Sequence, residues 1–282
     1  MTQEMMEEEL TDKSDGGISN GITEINDISD FIVWSKWISK LFGLRSTTIS
    51  PWFRGHKNHE WTLKPSLYRN GINKEWEREM IRDFKLFSSE FIDARERTEV
   101  DWLLLAQHYG LPTRLIDWTT NPLVALFFCV HDFEDKIDGR VWALNPWELN
   151  ISSIGFNSVP TTDSTLFDKY IINISDPNVP RKILAERPMA IRPYHLFRRA
   201  NAQSGTFTIH GSTEKAIDKS SFVRKNKTAC LRSIVVKGRR KAHISKELFS
   251  LGINHASLFQ TMDHIAISIR IRYSKGFMNP SS

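Results

Sequence analysis

The stretch AQHYGLPTRLIDWTTNPLVALFF, residues 106–128, says most about the fold of this 282-residue chain. Gly110 and Pro112 end an apolar helix, because glycine accepts the left-handed conformation that follows a helix and proline cannot continue one. Residues 115–117 then predict a short strand, and residues 122–131 predict a buried helix. A helix, a strand and a second helix in so short a stretch indicate a domain that mixes both element types.

Working towards the N-terminus, apolar residues at helical spacing predict a helix in residues 31–42. Residues 47–54 are β-prone and predict a strand that leads into a turn at Gly55. Residues 73–98 and 100–108 predict two further helices. The first of these carries large apolar residues on one face, which is typical of buried scaffold: Trp76, Met80, Phe84, Phe87 and Phe91.

Towards the C-terminus the predicted elements are strands at 139–145, 206–210 and 233–237 and a helix at 244–251. Residues 264–273 are ambiguous, because their alternation favours a strand while their place near the chain end permits a helix. Residues 146–185 lack a pattern over more length than a simple connection needs, and they predict an irregular insertion or lid.

These elements follow no strict β-α order, so the predicted fold class is α+β, with a small mixed or antiparallel sheet core and flanking helices. Residues 1–26 are acidic and poor in apolar residues, and we expect them to be flexible. Residues 27–275 are expected to form a single domain.

Composition narrows the class of protein. Hydrophobic residues make up 40% and charged residues 25%, which is the ordinary globular balance. No apolar run approaches the ~20 residues that a membrane span needs, and the acidic start does not resemble a signal peptide. The prediction is a cytoplasmic protein without a membrane partner. The two cysteines lack Cys-x-x-Cys spacing, so we expect no metal site and no disulfide framework.

The net charge of +5 is unevenly distributed. Residues 224–241 contain eight lysines and arginines and no acid. A solvated surface is the simpler interpretation of this run, and a patch that meets phosphate, in a nucleotide or a nucleic acid, is the alternative.

Arg54 is the first candidate functional residue. It lies in WFRGH, residues 52–56, at a predicted strand end and directly before Gly55, which would let a ligand approach the backbone. The planar guanidinium suits a two-point contact with phosphate or carboxylate. A salt bridge inside its own domain is an equally good interpretation.

The second group of candidates is the dense set of polar residues between the two apolar helices. Polar groups beside buried helices need either partners or a ligand. They are Gln107, His108, Tyr109, Thr113, Arg114, Asp117, Thr119 and Asn121. Asp117 has structural alternatives, capping the next helix or pairing with Arg114, and His108 is either a proton shuttle or structural.

Gln203 is a weaker candidate, because a glutamine before a turn is common. No P-loop, dinucleotide-binding, hydrolase-elbow or zinc-protease motif occurs in the sequence. Those four classes of site therefore lose support.

In this order, the motifs resemble the FRG domain family of bacterial and phage-related proteins. The resemblance covers roughly residues 30–270, and its central motif is highly specific. It rests on WFRGH (52–56), W-x-L-x-P-S-L-Y-R (61–69), the stretch 106–128, R-x-x-x-Q-S-G-T-F-T-I (199–209) and G-I-x-x-x-S-L-F (252–259). Residues 27–275 would then be one FRG-type domain.

The order of motifs is also similar to that of ADP-ribosyltransferases, which implies a split sheet and NAD as substrate. By this resemblance Arg54 grips the NAD phosphates, Thr119 holds the nicotinamide ribose, and Asp117 or Gln203 stabilises the reacting ribose. Gln203 falls near the position of the family's catalytic glutamate, but it carries no negative charge. The residues implied in binding NAD are Arg54, Gly55, His108, Tyr109, Thr113 and Arg114.

The implied function is NAD-dependent ADP-ribosyl transfer or NAD cleavage, acting as an intracellular toxin or phage-defence effector on an unknown macromolecular target. A non-enzymatic module that binds a nucleotide or nucleic acid is the alternative, followed by another enzyme class such as a nuclease. In the first case Arg54 and residues 107–119 should meet in space.

Overall fold

The structure is a computed structural model that describes residues 24–44, 50–69, 76–91, 97–171, 185–193, 202–225 and 230–274. The chain divides into two compact units. The first unit comprises Met1–Glu60, Asn121–Leu144 and Leu231–Ser282, and the second comprises Trp61–Thr120 and Asn145–Cys230. That residues 27–275 form a single domain stays a prediction.

Nine α-helices and six β-strands occur in the described residues, which confirms the predicted α+β class with a sheet core and flanking helices. The helices are α1 (Ile28–Leu41), α2 (Glu77–Ser88), α3 (Glu99–His108), α4 (Pro122–Val130), α5 (Pro146–Ile154), α6 (Ser221–Lys225), α7 (Gly238–Ser250), α8 (His255–Phe259) and α9 (Met262–Arg272). The strands are β1 (Trp52–His56), β2 (Leu115–Thr119), β3 (Gly139–Leu144), β4 (Met189–Ile191), β5 (Gly205–Ile209) and β6 (Leu231–Val236). No helix in this part of the chain is long and apolar enough to cross a membrane.

The first unit is built on three antiparallel strands in the order β1-β3-β6. Directly paired residues lie on the same face of a sheet, so the register puts Phe53 beside Ala143 and Val141 beside Ile234. All four belong to one buried core with side chains from α1, α4 and α7. Among these helical residues are Phe31, Trp34, Leu126, Val130 and Ile244.

Helix α4 is the helix closest to β1. It begins where the sequence predicts, because the Asn121 side chain accepts a hydrogen bond from the Leu123 N–H at 3.0 Å and Pro122 takes the first helical position. A Cβ added to Gly55 would lie 2.6 Å from the Cys129 amide nitrogen, and it would also collide with the Ala125 carbonyl oxygen. Gly55 therefore lets the helix backbone approach the strand.

The second unit contains three antiparallel strands in the order β4-β5-β2. Helix α3 covers one face through a continuous run of buried residues from Trp102 to Ala106. Its start is held by a capping box, in which Thr98 and Asp101 satisfy each other's backbone N–H groups. Leu115, Phe207 and Ile209 complete this core from the sheet.

The helix predicted at residues 73–98 is shorter, and its face was assigned wrongly. Helix α2 spans Glu77–Ser88, and Phe87 and Phe91 are 75% and 83% exposed. Phe84 is only half-buried, with its ring 6.3 Å from that of Trp102. An amphipathic pattern indicates a helix, but it does not show that another element covers the apolar face.

Several other elements differ from the predictions. Strand β1 spans Trp52–His56 rather than residues 47–54, so Gly55 lies inside the strand and not in a turn. Residues 264–273 lie almost wholly in helix α9, and helix α7 begins at Gly238, six residues before its predicted start at residue 244. Strand β4 was not predicted. The predicted insertion contains helix α5 and a 3-10 helix, Thr165–Lys169, while residues 172–184 lie outside the described part. The predicted flexible segment likewise falls outside it, except for residues 24–26.

The two cysteines lie in different units. Cys129 belongs to helix α4 in the first unit. Cys230 is the last residue of the second unit and directly precedes strand β6 of the first. Both thiols are free and buried, and burial raises the pKa of each to about 12. Neither thiol is therefore a nucleophile at neutral pH in the folded protein.

Candidate functional site

Three of the four predicted catalytic residues lie together in the second unit. Asp117 and Thr119 occupy alternate positions of β2, so they share a face, and Asp117 is exposed. The Thr119 hydroxyl donates a hydrogen bond to the Gln203 carbonyl oxygen at 2.6 Å. The Thr120 N–H donates to the Ser204 carbonyl oxygen at 3.0 Å, directly beyond the paired strands. Thr119 and Gln203 thus lie at one end of the β2–β5 pair, and Asp117 lies in the middle of β2, two residues from that end.

Gln107 connects the end of helix α3 to this strand. Its amide nitrogen donates to an Asp117 carboxylate oxygen at 2.9 Å. The next two residues, His108 and Tyr109, follow at the helix end with ring centroids 5.1 Å apart, and Tyr109 is 66% exposed. Asp117 is thus tied to the end of helix α3, where the exposed Tyr109 ring follows two residues after Gln107.

The two structural alternatives for Asp117 are wrong. Asn121, not Asp117, caps helix α4. Arg114 pairs with Glu77: its Nε atom lies 2.9 Å from one Glu77 carboxylate oxygen, and its Nη2 atom contacts the other. The carboxylate of Asp117 accepts its hydrogen bond from Gln107 instead.

Arg114 and Thr113 have structural contacts where NAD contacts were predicted. Arg114 is 5% exposed, and its Nη1 atom also donates to the carbonyl oxygens of His210 and Gly211, at 3.3 and 3.4 Å. Burial opposes the charge of Arg114, but Glu77 outweighs it, so the pKa of Arg114 is raised. Thr113 is fully buried. Thr113 therefore does not reach the surface, and the Arg114 guanidinium is held by Glu77, so a contact with NAD stays a prediction for both residues.

Tyr68 and His210 belong to the same buried network, and site prediction missed them. The Tyr68 hydroxyl donates to the Gly211 carbonyl oxygen at 2.8 Å, and burial raises the pKa of Tyr68 to about 12. Burial lowers the pKa of His210 to about 3, so its ring is neutral at physiological pH. Both residues lie inside or next to motifs quoted above, whereas Glu77 carries no sequence signal that distinguishes it from a solvated helical acid.

Arg54 lies in the first unit, in the middle of β1. Its Nε atom donates to the Nε2 atom of His56 at 3.0 Å, which requires this ring nitrogen to carry no proton. Both side chains share a face of the sheet with Trp142 and Arg140, which lie opposite them on β3. The Arg140 guanidinium lies 5.0 Å from the centre of the Trp142 ring. This face combines cationic and aromatic groups, as nucleotide-binding surfaces do.

Gly55 contributes nothing to that face. The position of its missing Cβ is taken by the backbone of helix α4, so the glycine serves helix packing. The prediction that it admits a ligand is corrected on this ground. That Arg54 meets residues 107–119 stays a prediction, because these residues belong to different units.

In the described part of the basic run 224–241, three of the basic side chains contact other groups of the protein. Lys237 pairs with Asp138 at 2.9 Å, and Arg239 pairs with Glu24 at 2.5 Å. Lys241 is fully buried and donates to the Lys57 carbonyl oxygen at 2.7 Å. These contacts favour a structural interpretation of the run over a polyanion patch.

Residues 24–44, 50–69 and the other described ranges contain no group of three or more His, Cys, Asp or Glu side chains placed to hold a metal ion. The candidate site is therefore considered on its carboxylate, hydroxyl, amide and guanidinium groups.

Comparison with known protein families matches residues 50–137 to the FRG domain. The matched range contains Arg54 and the whole polar stretch from Gln107 to Asn121, whereas Gln203 lies beyond it. No match was found among curated proteins or among solved structures. Residues 50–137 are therefore similar to the FRG domain, as the motifs in this range indicate.

Proposed function

We propose that this protein cleaves the nicotinamide–ribose bond of NAD and passes ADP-ribose to a macromolecular acceptor or to water, as an intracellular toxin or phage-defence effector. One observation carries the proposal. Asp117, an exposed carboxylate in the middle of β2, is held by Gln107, two residues from the strand end where Thr119 and Gln203 meet.

The chemistry requires a negative group near the reacting ribose. When the bond between nicotinamide and C1′ breaks, neutral nicotinamide leaves with the bonding electrons and the ribose becomes oxocarbenium-like. An oxygen nucleophile then bonds to C1′ and loses its proton. Carboxylates stabilise this kind of positive charge in glycoside cleavage. Asp117 supplies such a charge and Gln203 cannot, which assigns Asp117 the electrostatic role.

The neighbouring residues fit supporting roles. Thr119 is buried at 5% exposure and gives its hydroxyl proton to the Gln203 carbonyl, so in the proposal the nicotinamide ribose has to reach its oxygen at the end of β2. Tyr109, exposed beside His108, offers a ring for stacking against nicotinamide. Arg54 would bind the diphosphate with the planar fork of its guanidinium. The proposal also requires Arg54 to approach Asp117 and the sheet to be split as in ADP-ribosyltransferases.

A nucleotide-binding module without chemistry is the second candidate. The observation in its favour is the face that carries Arg54 and Arg140, whose guanidinium groups could meet a phosphate. His56 and Trp142 on the same face are buried, and Arg140 already lies over the Trp142 ring. Recognition of nucleic acid through residues 224–241 has less support, because the lysines and arginines described above serve internal contacts.

The test is release of nicotinamide from labelled NAD by the purified protein, with and without cell lysate. Asp117→Asn should lower kcat by about 100- to 1,000-fold, the usual loss when one preorganised electrostatic contact is removed. Asp83→Asn is the matched control, because Asp83 is an exposed carboxylate of the same unit on helix α2. NAD binding without nicotinamide release would favour the binding module, and neither binding nor release would contradict both candidates.

A further inference from the structure

We infer that Gln107 is a positioning residue that fixes the orientation of the Asp117 carboxylate, an inference that rests on the proposed NAD cleavage. The sequence marks Gln107 only as one of several polar residues, without a role. Its side chain is the described hydrogen-bonding link between the end of α3 and the middle of β2.

Gln107 belongs to a chain of hydrogen bonds that runs in one direction. The Leu115 N–H donates to the Thr113 hydroxyl at 3.3 Å, and this hydroxyl donates to the carbonyl oxygen of the Gln107 side chain. The Gln107 amide nitrogen then donates to Asp117 at 2.9 Å. Hydrogen bonds in such a chain polarise one another, so the last donor is strengthened.

Both neighbours impose the same orientation on the Gln107 amide. The Thr113 hydroxyl has one proton to donate and is fully buried, so this proton needs an acceptor oxygen opposite it. An ionised carboxylate can only accept, so Asp117 requires a nitrogen. The amide satisfies both requirements in a single orientation, and a flipped amide would satisfy neither.

The support behind this amide is rigid. Thr113 is fully buried, its N–H donates to the Ser66 hydroxyl at 3.2 Å, and its carbonyl accepts from the Leu67 N–H at 3.1 Å. Gln107 itself follows the buried run that ends at Ala106 in the core of the second unit. Asp117, by contrast, is exposed, and the Gln107 contact restrains its carboxylate.

The arrangement is better explained by positioning than by stability. Helix α3 and strand β2 are already joined through buried leucines such as Leu104 and Leu115. An exposed carboxylate loses little when water replaces one of its hydrogen bonds. Misplacement of a catalytic group by about 1 Å, however, lowers a rate by about 100-fold.

The test compares two variants with wild type. In Gln107→Leu both hydrogen bonds are lost, so kcat for NAD cleavage should fall by about 100-fold while KM changes little. The Tm should fall by roughly 2–4 °C, because the buried Thr113 hydroxyl loses its acceptor, and a loss of that size leaves the protein folded for the assay. Glu90→Leu places the same leucine at an exposed position of the same unit and should leave kcat unchanged. In Gln107→Glu the new side chain can donate to Asp117 only when protonated, so its kcat relative to wild type should rise as pH falls from 8 to 5.

A measurement without NAD separates this inference from the proposed function. The carboxyl carbon resonance of Asp117, read by NMR, should shift in Gln107→Leu and stay in place in Glu90→Leu. An unshifted resonance, or a Gln107→Leu variant with normal kcat, would overturn the positioning role. If wild type releases no nicotinamide but the resonance shifts, the proposed function fails and the orientation of Asp117 by Gln107 stands.

Discussion

Replacing Gly55 by alanine tests whether this glycine serves helix packing or ligand access. The added Cβ would lie 2.6 Å from the Cys129 amide nitrogen, whereas ordinary van der Waals contact begins at 3.4 Å. Helix α4 would therefore have to move by at least about 0.8 Å, which is the difference between these two distances. It would have to move further to clear the Ala125 carbonyl oxygen. Because both obstacles are backbone atoms, no rotamer change can relieve them.

Overpacking of this kind costs about 1–3 kcal/mol, and a backbone collision places Gly55→Ala near the upper value. With a urea m-value of about 1–3 kcal/mol per molar, the unfolding midpoint should fall by roughly 1–3 M. The assay is urea unfolding followed by far-UV circular dichroism. Ala125→Gly added to the variant should not restore the midpoint, since the colliding carbonyl remains.

Gly110→Ala is the matched control. Gly110 has φ of +85° and nothing within 4 Å of an added Cβ, so its substitution costs only the left-handed backbone strain of about 1–2 kcal/mol. If Gly55→Ala proved no more destabilising than Gly110→Ala, the packing argument would be refuted. A stable Gly55→Ala protein that had lost NAD binding would return the glycine to the ligand site.

Three further predictions concern stability. Glu77→Gln leaves Arg114 buried without its carboxylate and should lower the free energy of unfolding by about 3–5 kcal/mol in thermal melts; a loss under about 1 kcal/mol would contradict the buried pair. Thr98→Ala removes the capping box of α3 and should cost about 1 kcal/mol in urea unfolding, so an unchanged midpoint would count against it. Burial and two neighbouring histidines lower the pKa of His255 to about 4, whereas a histidine in the unfolded chain has a pKa near 6.5. As the pH falls, the unfolded chain therefore binds a proton at this residue before the folded protein does. The contribution of His255 to the free energy of unfolding should therefore be complete above about pH 6.5 and should decline towards pH 4. The free energy of unfolding of His255→Phe should decline less over this range. Equal declines in both proteins would rule out His255 as a cause.

The elements with local start and stop signals could be predicted from the sequence. Helix α4 has Asn121 and Pro122 at its start and an unbroken apolar run after them, so its position was predicted within one residue. Helix α7 was predicted to start six residues late, because basic residues that include Lys241 look solvated in sequence. Lys241 is buried by the fold, with its ammonium on a backbone carbonyl, and no local pattern indicates this.

The candidate site was predictable as a set of residues, not as a set of contacts. The density of polar groups in residues 107–121 marks the region, and the matched FRG domain agrees with it. The sequence could not show that Arg114 pairs with Glu77, which lies thirty-seven positions away on helix α2. It also could not show that Thr113 and Thr119 are both buried, the first bonded to the Gln107 side chain and the second to the Gln203 carbonyl.

The distribution of the two cysteines provides each compact unit with an intrinsic reporter of its own opening. A thiol reagent can modify Cys129 only when the first unit opens, and Cys230 only when the second does. Labelling rates of Cys129→Ala and Cys230→Ala, each with one remaining thiol, would therefore yield the opening free energy of each unit separately, without an introduced probe.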